Sequence, residues 1–252
     1  MTAPSLLCAV GELTPFFDVE YPETPYPGAR PDCSFVHLDG VGYPVRPDII
    51  EPSGWRVVTD EAEGEGLDGW LRRRGAAPLE QRFPVLAYGS NACPEKIGWL
   101  RANLGLSGPA VVLRARCAGM AAVWSTGYRK RDGQRPAVLA AARGVVEQHA
   151  VWLATAEQLR VLDRCEGRGS RYRLVRLQAP TADVRLENGI GLRNVLAYTS
   201  ALRGMAPLLV GGRPVRCSEL GQQDARELRG TPASTDGLAC SEVVGEPSLA
   251  RW

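Results

Sequence analysis

The stretch Leu86-Ala87-Tyr88-Gly89-Ser90-Asn91 ends an apolar run that begins at Phe83, and it decides how the chain is interpreted. A continuous apolar run that stops at turn-forming residues is typical of a strand buried on both faces. Glycine permits a sharp exit from a strand, and asparagine tolerates left-handed backbone. Pro94 then predicts the start of a helix. The N–H groups of residues 89–91 and the positive end of that helix could bind an anion, although a plain strand-to-helix turn has the same sequence.

A second motif places one carboxylate at the end of a predicted helix. Thr155 and Gln158 form a capping box, after which leucines recur at helical spacing as far as the expected stop signal Gly167. Glu166 therefore lies where unpaired helix carbonyls disfavour a negative charge, and partial burial would raise its pKa further. A raised pKa suits a general acid/base, but an ordinary exposed glutamate near a helix end has the same pattern.

The composition is that of an ordinary globular protein and excludes several function classes. Hydrophobic residues make up 44% of the 252 residues, charged residues 23%, and the formal net charge is +2. This gives no general attraction to nucleic acid or to membranes, and no apolar run is long enough to cross a bilayer. The short apolar run at residues 6–10 lacks the basic flank of a signal peptide. We therefore expect a cytoplasmic protein that acts on a small molecule.

Seven cysteines and two histidines are scattered along the chain. An odd number of cysteines without tight spacing argues against a disulfide framework. A structural zinc site needs four clustered Cys or His ligands, which this spacing does not supply, so reduced thiols, no metal and no cofactor are expected. Cys165 and His149 could form a nucleophile and its base, but a cysteine on the buried face of a helix is commoner.

Prolines set an N-terminal extension apart from the main domain. Residues 1–80 are rich in Pro and Gly, which excludes long helices, while Asp39-Gly40 between two apolar runs predicts a hairpin. The acidic stretch 60–65 is predicted as a linker or helix start, and residues 67–74 as a short helix. The extension holds too many aromatic residues for a disordered tail, so we expect an ordered arm that packs on the main domain and narrows its pocket.

The main domain, residues 83–230, mixes strands and helices without strict alternation, which indicates the α+β class. Residues 231–252 are predicted to be a C-terminal tail in a loop conformation. Helices are predicted from residue 94, after Thr155 and at residues 218–229. Strands are predicted at residues 83–88, 137–141, 144–153, 172–177 and 194–198, and one or two strands at residues 111–124.

The two motifs, in this order, resemble the γ-glutamylcyclotransferase-like family, which includes γ-glutamylamine cyclotransferase and the antibiotic-biosynthesis cyclotransferases. In that family a Tyr-Gly-Ser-Asn loop follows the first core strand. The family also has a later segment made of an apolar strand, a capped helix, the motif Leu-Asp-x-x-Glu-Gly and a tyrosine. The motif and the tyrosine are matched here by Leu162-Asp163-Arg164-Cys165-Glu166-Gly167 and Tyr172. The resemblance covers roughly residues 83–220. It implies a small mixed β-barrel flanked by helices, with a pocket between the loop and Glu166.

The resemblance implies a lyase or acyltransferase that exchanges an amide within one molecule, releasing 5-oxoproline and a free amine from a γ-glutamyl amine or peptide. Glu166 would be the general acid/base. The Tyr198 hydroxyl would touch the substrate, and Arg171 or Arg173 could hold a substrate carboxylate. The implied substrate-binding residues are Tyr88, Gly89, Ser90, Asn91, Ala92, Tyr172 and Tyr198.

Two other functions remain open at this point. A non-catalytic binding module of the same fold would keep the pocket, and an amide-forming or acyl-transfer enzyme of a biosynthetic pathway could use the same loop. Glu166 favours an enzyme, because a silent module has no need of that carboxylate. Residues 1–80 and the small Ala92 depart from the family pattern and could select the leaving amine. The basic clusters 72–74 and 129–131 are predicted to be solvated surfaces, and the sequence specifies neither the leaving amine nor the oligomeric state.

Overall fold

The computed structural model describes residues 13–59, 64–179 and 182–249. The apolar run at residues 6–10, Cys8 and all but the last two residues of the acidic stretch 60–65 lie outside these ranges. No helix in the described ranges has the length and apolar character needed to span a lipid bilayer.

Short helices and many strands make up the described chain. The helices are α1 (Leu67–Arg73), α2 (Pro94–Leu104), α3 (Ala156–Glu166) and α4 (Gln222–Glu227). The strands are β1 (Phe16–Phe17), β2 (Ser34–Leu38), β3 (Val41–Pro47), β4 (Trp55–Val57), β5 (Glu65–Gly66), β6 (Phe83–Ala87), β7 (Ala110–Trp124), β8 (Ala137–Ala154), β9 (Tyr172–Leu177), β10 (Asp183–Leu186), β11 (Gly191–Leu192), β12 (Leu196–Ser200), β13 (Leu208–Val210), β14 (Arg213–Pro214), β15 (Thr231–Pro232) and β16 (Cys240–Glu242).

A long antiparallel pair organises the main sheet. β7 and β8 pair along most of their length, with a bulge between Ala118 and Met120. β6 pairs antiparallel with β8 on one side and parallel with β12 on the other. All five residues of β6 are buried, which confirms the strand that its continuous apolar run predicts.

The sheet is open. Its 13 strands run in the order β16, β9, β12, β6, β8, β7, β2, β3, β4 and β5, with β1, β10 and β11 joined at the side. β2 and β10 both pair with β7, so this edge of β7 is occupied and unavailable for closure against β16. The described residues therefore confirm the α+β class, whereas the closed barrel that the family resemblance implied is not found among them.

The described part of the N-terminal extension belongs to the same sheet. The predicted hairpin forms between β2 and β3, and its turn residues Asp39 and Gly40 have φ values of 49° and 84°, as a tight Asp-Gly turn requires. Val36 and Trp55 are fully buried and pack in one hydrophobic cluster with Leu113 of β7. The apolar residues of the extension thus stabilise the core of the main domain.

Three predicted elements differ from the structure. The sequence predicts two strands where the structure has the single strand β8. The change of register at residues 142–145 is absorbed by the bulge, and β8 pairs with β7 on both sides of it. α4 is shorter than the helix predicted at 218–229. The tail beyond residue 230 is not all loop, since β16 pairs with β9 and so finds its hydrogen-bond partners far away in sequence.

α3 confirms the capping signals of the sequence. Thr155 Oγ1 accepts a hydrogen bond from the Gln158 N–H at 3.3 Å, and Gln158 Oε1 accepts one from the Thr155 N–H at 3.2 Å. Leu159 and Leu162 are buried in the hydrophobic cluster that contains Trp152 of β8. The helix is therefore fixed against the sheet, and its last residue, Glu166, has a defined position.

Candidate active site

The loop after β6 and the end of α3 meet in one cavity of about 740 Å³. Its walls include residues 88–91, Glu166, Tyr172 and Tyr198, so the structure brings together all the predicted site residues except Ala92. Ala92 packs in the hydrophobic cluster that contains Ile97. The single turn Ser90–Ala92 places the Ala92 methyl group in the core and outside the described wall, so the substrate-binding role of Ala92 stays a prediction.

The Glu166 carboxyl is the single acidic group in the described wall of this cavity. Asn91 Nδ2 donates a hydrogen bond to Glu166 Oε1 at 2.7 Å. Burial raises the pKa of the Glu166 carboxyl above its usual range, while the Asn91 hydrogen bond and the positive charges of Arg171 and Lys96 act in the opposite direction. Burial dominates, so this carboxyl accepts and returns a proton closer to neutral pH than an exposed glutamate does.

Gly167 ends α3 and leaves room for Arg171 beside the carboxyl. Its φ of 65° lies in the left-handed region, and a Cβ at this position would lie 2.7 Å from Arg171 Nε. Arg171 Nη2 donates to the backbone oxygen of Cys165 at 2.6 Å, and Arg171 lines the cavity. Arg173 does not line it and instead hydrogen bonds Thr199. Of the two arginines proposed to hold a substrate carboxylate, the structure favours Arg171.

The N-terminal extension also contacts the loop of residues 88–91, through Arg30 and Tyr26. Arg30 Nη2 donates to the backbone oxygens of Tyr88 at 3.0 Å and Gly89 at 2.7 Å. Tyr26 lines the cavity, and a Cβ at position 89 would lie 2.8 Å from its hydroxyl oxygen. Gly89 is therefore needed for a close approach between the loop and the extension, in addition to the sharp exit from β6.

Backbone donors in the loop are available to a ligand. The N–H groups of Ser90 and Asn91 have no protein acceptor within the described ranges. The loop leads directly into α2, which begins at Pro94. Free N–H groups next to a helix N-terminus are the components of a backbone anion or oxyanion site.

Five tyrosines line the described wall, and the three that the sequence predicted, Tyr88, Tyr172 and Tyr198, differ in their hydrogen bonds. The Tyr88 hydroxyl donates to the backbone oxygen of Tyr198 at 2.6 Å, and the Tyr198 hydroxyl donates to Asp163 Oδ1 at 2.7 Å. The Tyr198 proton is therefore committed to Asp163, which does not support the substrate contact expected of this hydroxyl. No described protein group hydrogen bonds the Tyr172 hydroxyl, so among these three tyrosines the Tyr172 hydroxyl is the one left available to a ligand.

Basic residues that the sequence did not single out also line the cavity. Lys96 and Lys130 are the only lysines of the chain, and both are part of the wall. Arg129 lies with its guanidinium 4.9 Å from the centre of the Tyr26 ring, and its side chain is only 19% exposed. The prediction that residues 129–131 form a solvated surface is therefore wrong for Arg129. Almost all basic residues of the chain are arginines, so the two lysines stand out in the sequence. Their rarity is the one sequence signal that could have identified the basic part of the cavity wall.

Cys165 and His149 do not form a nucleophile and base. Cys165 lines the cavity, but burial raises the pKa of its thiol, and the neighbouring Glu166 charge acts in the same direction. His149 Nε2 lies 3.1 Å from Glu147 Oε2, and His149 lines a separate cavity of about 130 Å³. In the part of the chain that the structure describes, no three His, Cys, Asp or Glu side chains are placed to hold a metal ion.

Comparison with known proteins gave distant structural neighbours and no sequence relatives. No family model matches the chain, and no curated protein matches it. A solved structure described as a gamma-glutamyl cyclotransferase is 17% identical, with 62% of this chain and 92% of that chain covered and a TM-score of 0.40. An uncharacterized protein from Homo sapiens is 18% identical, with 62% of this chain and 94% of that chain covered and a TM-score of 0.41.

Proposed function

We propose that this protein is a cyclotransferase that releases 5-oxoproline and a free amine from a γ-glutamyl amide, with Glu166 as the general acid/base. One observation carries this proposal. A carboxyl of raised pKa lies in the wall of a cavity, held at 2.7 Å by the asparagine of a strand-to-helix loop that offers free backbone donors. The sequence resemblance of both motifs to the cyclotransferase family supports the same reaction.

Glu166 would carry two protons, one after the other, from the attacking nitrogen to the leaving nitrogen. Oε1 accepts the Asn91 hydrogen bond, which leaves Oε2 to take a proton from the substrate's α-ammonium group. The freed amine attacks the γ-carbonyl carbon of the same molecule, and a C–N bond forms that closes a five-membered ring. When the original amide C–N bond breaks, the protonated carboxyl gives its proton to the departing nitrogen. The ring nitrogen loses a second proton as it becomes the lactam N–H, and Glu166 passes this proton to the free amine, which leaves as its ammonium ion.

The remaining wall would orient the glutamyl group. Arg171 would pair with the α-carboxylate; its position in the wall, close enough to Glu166 to lower the pKa of that carboxyl, supports this role. The free N–H groups of Ser90 and Asn91 would bind the oxygen of the γ-carbonyl as negative charge develops on it. Holding both reacting ends of one molecule in attack geometry can supply several kcal/mol of the barrier reduction, about 7–11 in favourable cases.

A panel of γ-glutamyl amides with different leaving amines tests the reaction class. The purified protein should release 5-oxoproline and the amine in equal amounts from at least one amide. An amide-forming or acyl-transfer enzyme would yield a new amide only when a second amine is added, and a binding module would yield no product. Release of free glutamate in place of 5-oxoproline would also contradict the proposal, because it indicates hydrolysis.

A further inference from the structure

The cavity carries more positive charge than a γ-glutamyl group can neutralise. Its described wall contains five basic side chains and the single carboxylate of Glu166. Two further carboxylates pair with this basic set, since Asp132 lies 2.8 Å from Arg129 and Glu23 lies 3.0 Å from Arg131. Two positive charges remain in excess. The five basic residues are Lys96, Arg129, Lys130, Arg131 and Arg171.

The glutamyl group of the substrate cannot account for this excess. Its α-ammonium and α-carboxylate cancel each other, and its γ-carbonyl is neutral because it forms the amide. The complementary negative charge must therefore come from the amine that leaves. Lys130 is exposed and pairs with neither Asp132 nor Glu23, so the uncompensated charge extends to the mouth of the cavity, away from the enclosed carboxyl.

The size and the apolar part of the wall indicate a leaving amine with a sizeable body. A volume of about 740 Å³ lies within the range of about 300–1,000 Å³ that is typical of sites for drug-sized ligands, for which a glutamyl group alone is too small. Trp99, Leu202 and Met205 also line the cavity. Lys96 Nζ lies 3.5 Å from the centre of the Trp99 ring, so a positive charge and an apolar surface are side by side.

We propose that the natural leaving amine has an apolar body and carries two negative charges, which the basic segment 129–131 and Lys96 recognise. Either one phosphate monoester or two carboxylates supply this charge. The inference rests on the proposed cyclotransferase function and deepens it by naming the substrate class. Lys130 is the specificity-determining residue best suited to substitution. It is exposed and has no ion pair in the described structure, so its replacement disturbs no other contact of this kind.

A matched series of γ-glutamyl amides tests the charge requirement. One aromatic amine scaffold would carry a phosphate monoester, two carboxylates, the corresponding neutral esters or a quaternary ammonium group. At low salt we expect the KM of at least one dianion to be about tenfold below that of the neutral ester, because two weakly screened ion pairs form. This difference should shrink as salt is added. The two dianionic arms show whether phosphate or carboxylate is preferred.

Lys130→Glu should raise the KM for the dianionic amide about fivefold, and the loss of kcat/KM should come mainly from this rise in KM. The variant should not raise the KM for the quaternary ammonium amide. Arg143→Glu makes the same change in net charge at an exposed position outside the cavity wall, and its KM values should match the parent. Equal KM values across the series, a preference for the cation, or equal effects of the two variants would overturn the inference.

Binding of the same amides to the Glu166→Gln variant, measured by calorimetry, separates this inference from the reaction itself. Selective binding of dianions with no 5-oxoproline from the wild-type protein would contradict the proposed reaction and support the charge assignment. Turnover of the amides without any charge preference in binding would contradict the charge assignment alone.

Discussion

The side-chain amide of Asn91 donates a 2.7 Å hydrogen bond to the carboxylate of Glu166, 75 residues further along the chain. This contact joins the loop after β6 to the end of α3, the two segments that the sequence marks as informative. It also opposes the effect of burial, because a donor to the carboxylate stabilises its charged form. In the proposed reaction Asn91 would therefore be a positioning residue whose hydrogen bond lowers the pKa of Glu166.

Asn91→Leu should move the acid limb of the pH profile of kcat/KM to higher pH. The Asn91 hydrogen bond lowers the pKa of Glu166, so removing it lets burial raise that pKa further. The base form of Glu166 then appears only at higher pH, and the pH–rate profile measures the shift. Asn103→Leu, at an exposed position of α2, is the control and should leave the limb in place. An unshifted limb in Asn91→Leu would exclude the positioning role.

Arg30→Met should loosen the loop that Arg30 holds. The variant loses the charged donor to the backbone oxygens of Tyr88 and Gly89, and hydrogen bonds of this kind contribute about 1.5–3 kcal/mol. We expect the free energy of unfolding in urea to fall by about 2 kcal/mol and the KM for a γ-glutamyl amide to rise. Arg46→Met, exposed on β3, should change stability by less than about 0.5 kcal/mol. Equal effects of both substitutions would show that Arg30 does not support the loop.

Gly167→Ala and Gly105→Ala form a matched pair at two helix ends. Both glycines have left-handed φ values, 65° and 69°, so each alanine should lower stability by about 1–2 kcal/mol. Only position 167 is crowded, because its Cβ would lie 2.7 Å from Arg171 Nε, whereas no atom lies within 4 Å of a Cβ at position 105. Gly167→Ala should therefore also impair turnover. If both variants keep full activity, the space beside Arg171 has no role in the reaction.

His37 should make the protein less stable as the pH falls from 6.5 to 4. Burial and then the charge of Arg101, which donates to His37 Nδ1 at 3.2 Å, lower the pKa of His37 from 6.5 to about 4. Between these values the unfolded chain binds a proton and the folded protein does not, so stability present above pH 6.5 is lost on acidification. The loss attributable to this group reaches about 3 kcal/mol near pH 4.

His37→Asn keeps an acceptor near the Nδ1 position and removes the titration. Urea unfolding of both proteins across this pH range isolates the contribution, because the other titrating groups are common to both. The stability difference between the two proteins should narrow on acidification. A difference that stays constant with pH would contradict a lowered His37 pKa.

Local signals in the sequence were sufficient for the elements that place Glu166. The apolar run of β6 and the capping box at Thr155 are each contained within a few residues, and both elements form as predicted. Pairings between distant segments have no such signal. The sequence therefore missed the pairing of β16 with β9 and the open sheet that follows from the occupied edge of β7.

Some residues of the candidate site could be predicted from local motifs, and others could not. Glu166 and residues 88–91 lie in recognisable motifs, and the structure places them in one cavity. Tyr26 and Arg30 lie in an irregular, proline-rich stretch and reach the loop only through the tertiary fold, so no periodicity could have identified them. The burial of Ala92 outside the described wall could not be predicted either, because adjacency to a motif does not specify whether a short turn directs a side chain to the pocket or to the core.

The rate of 5-oxoproline release by Glu166→Gln, on an amide that the wild-type protein turns over, tests the central claim most directly. Glutamine keeps the shape of the side chain but cannot carry the proton, so kcat should fall by about 10²–10⁴-fold. The melting temperature should be unchanged or higher, since a carboxylate that burial destabilises has been removed. Glu157→Gln, at the exposed start of the same helix, should retain full activity. Turnover by Glu166→Gln within about threefold of the wild-type rate would contradict the assignment of Glu166 as the general acid/base.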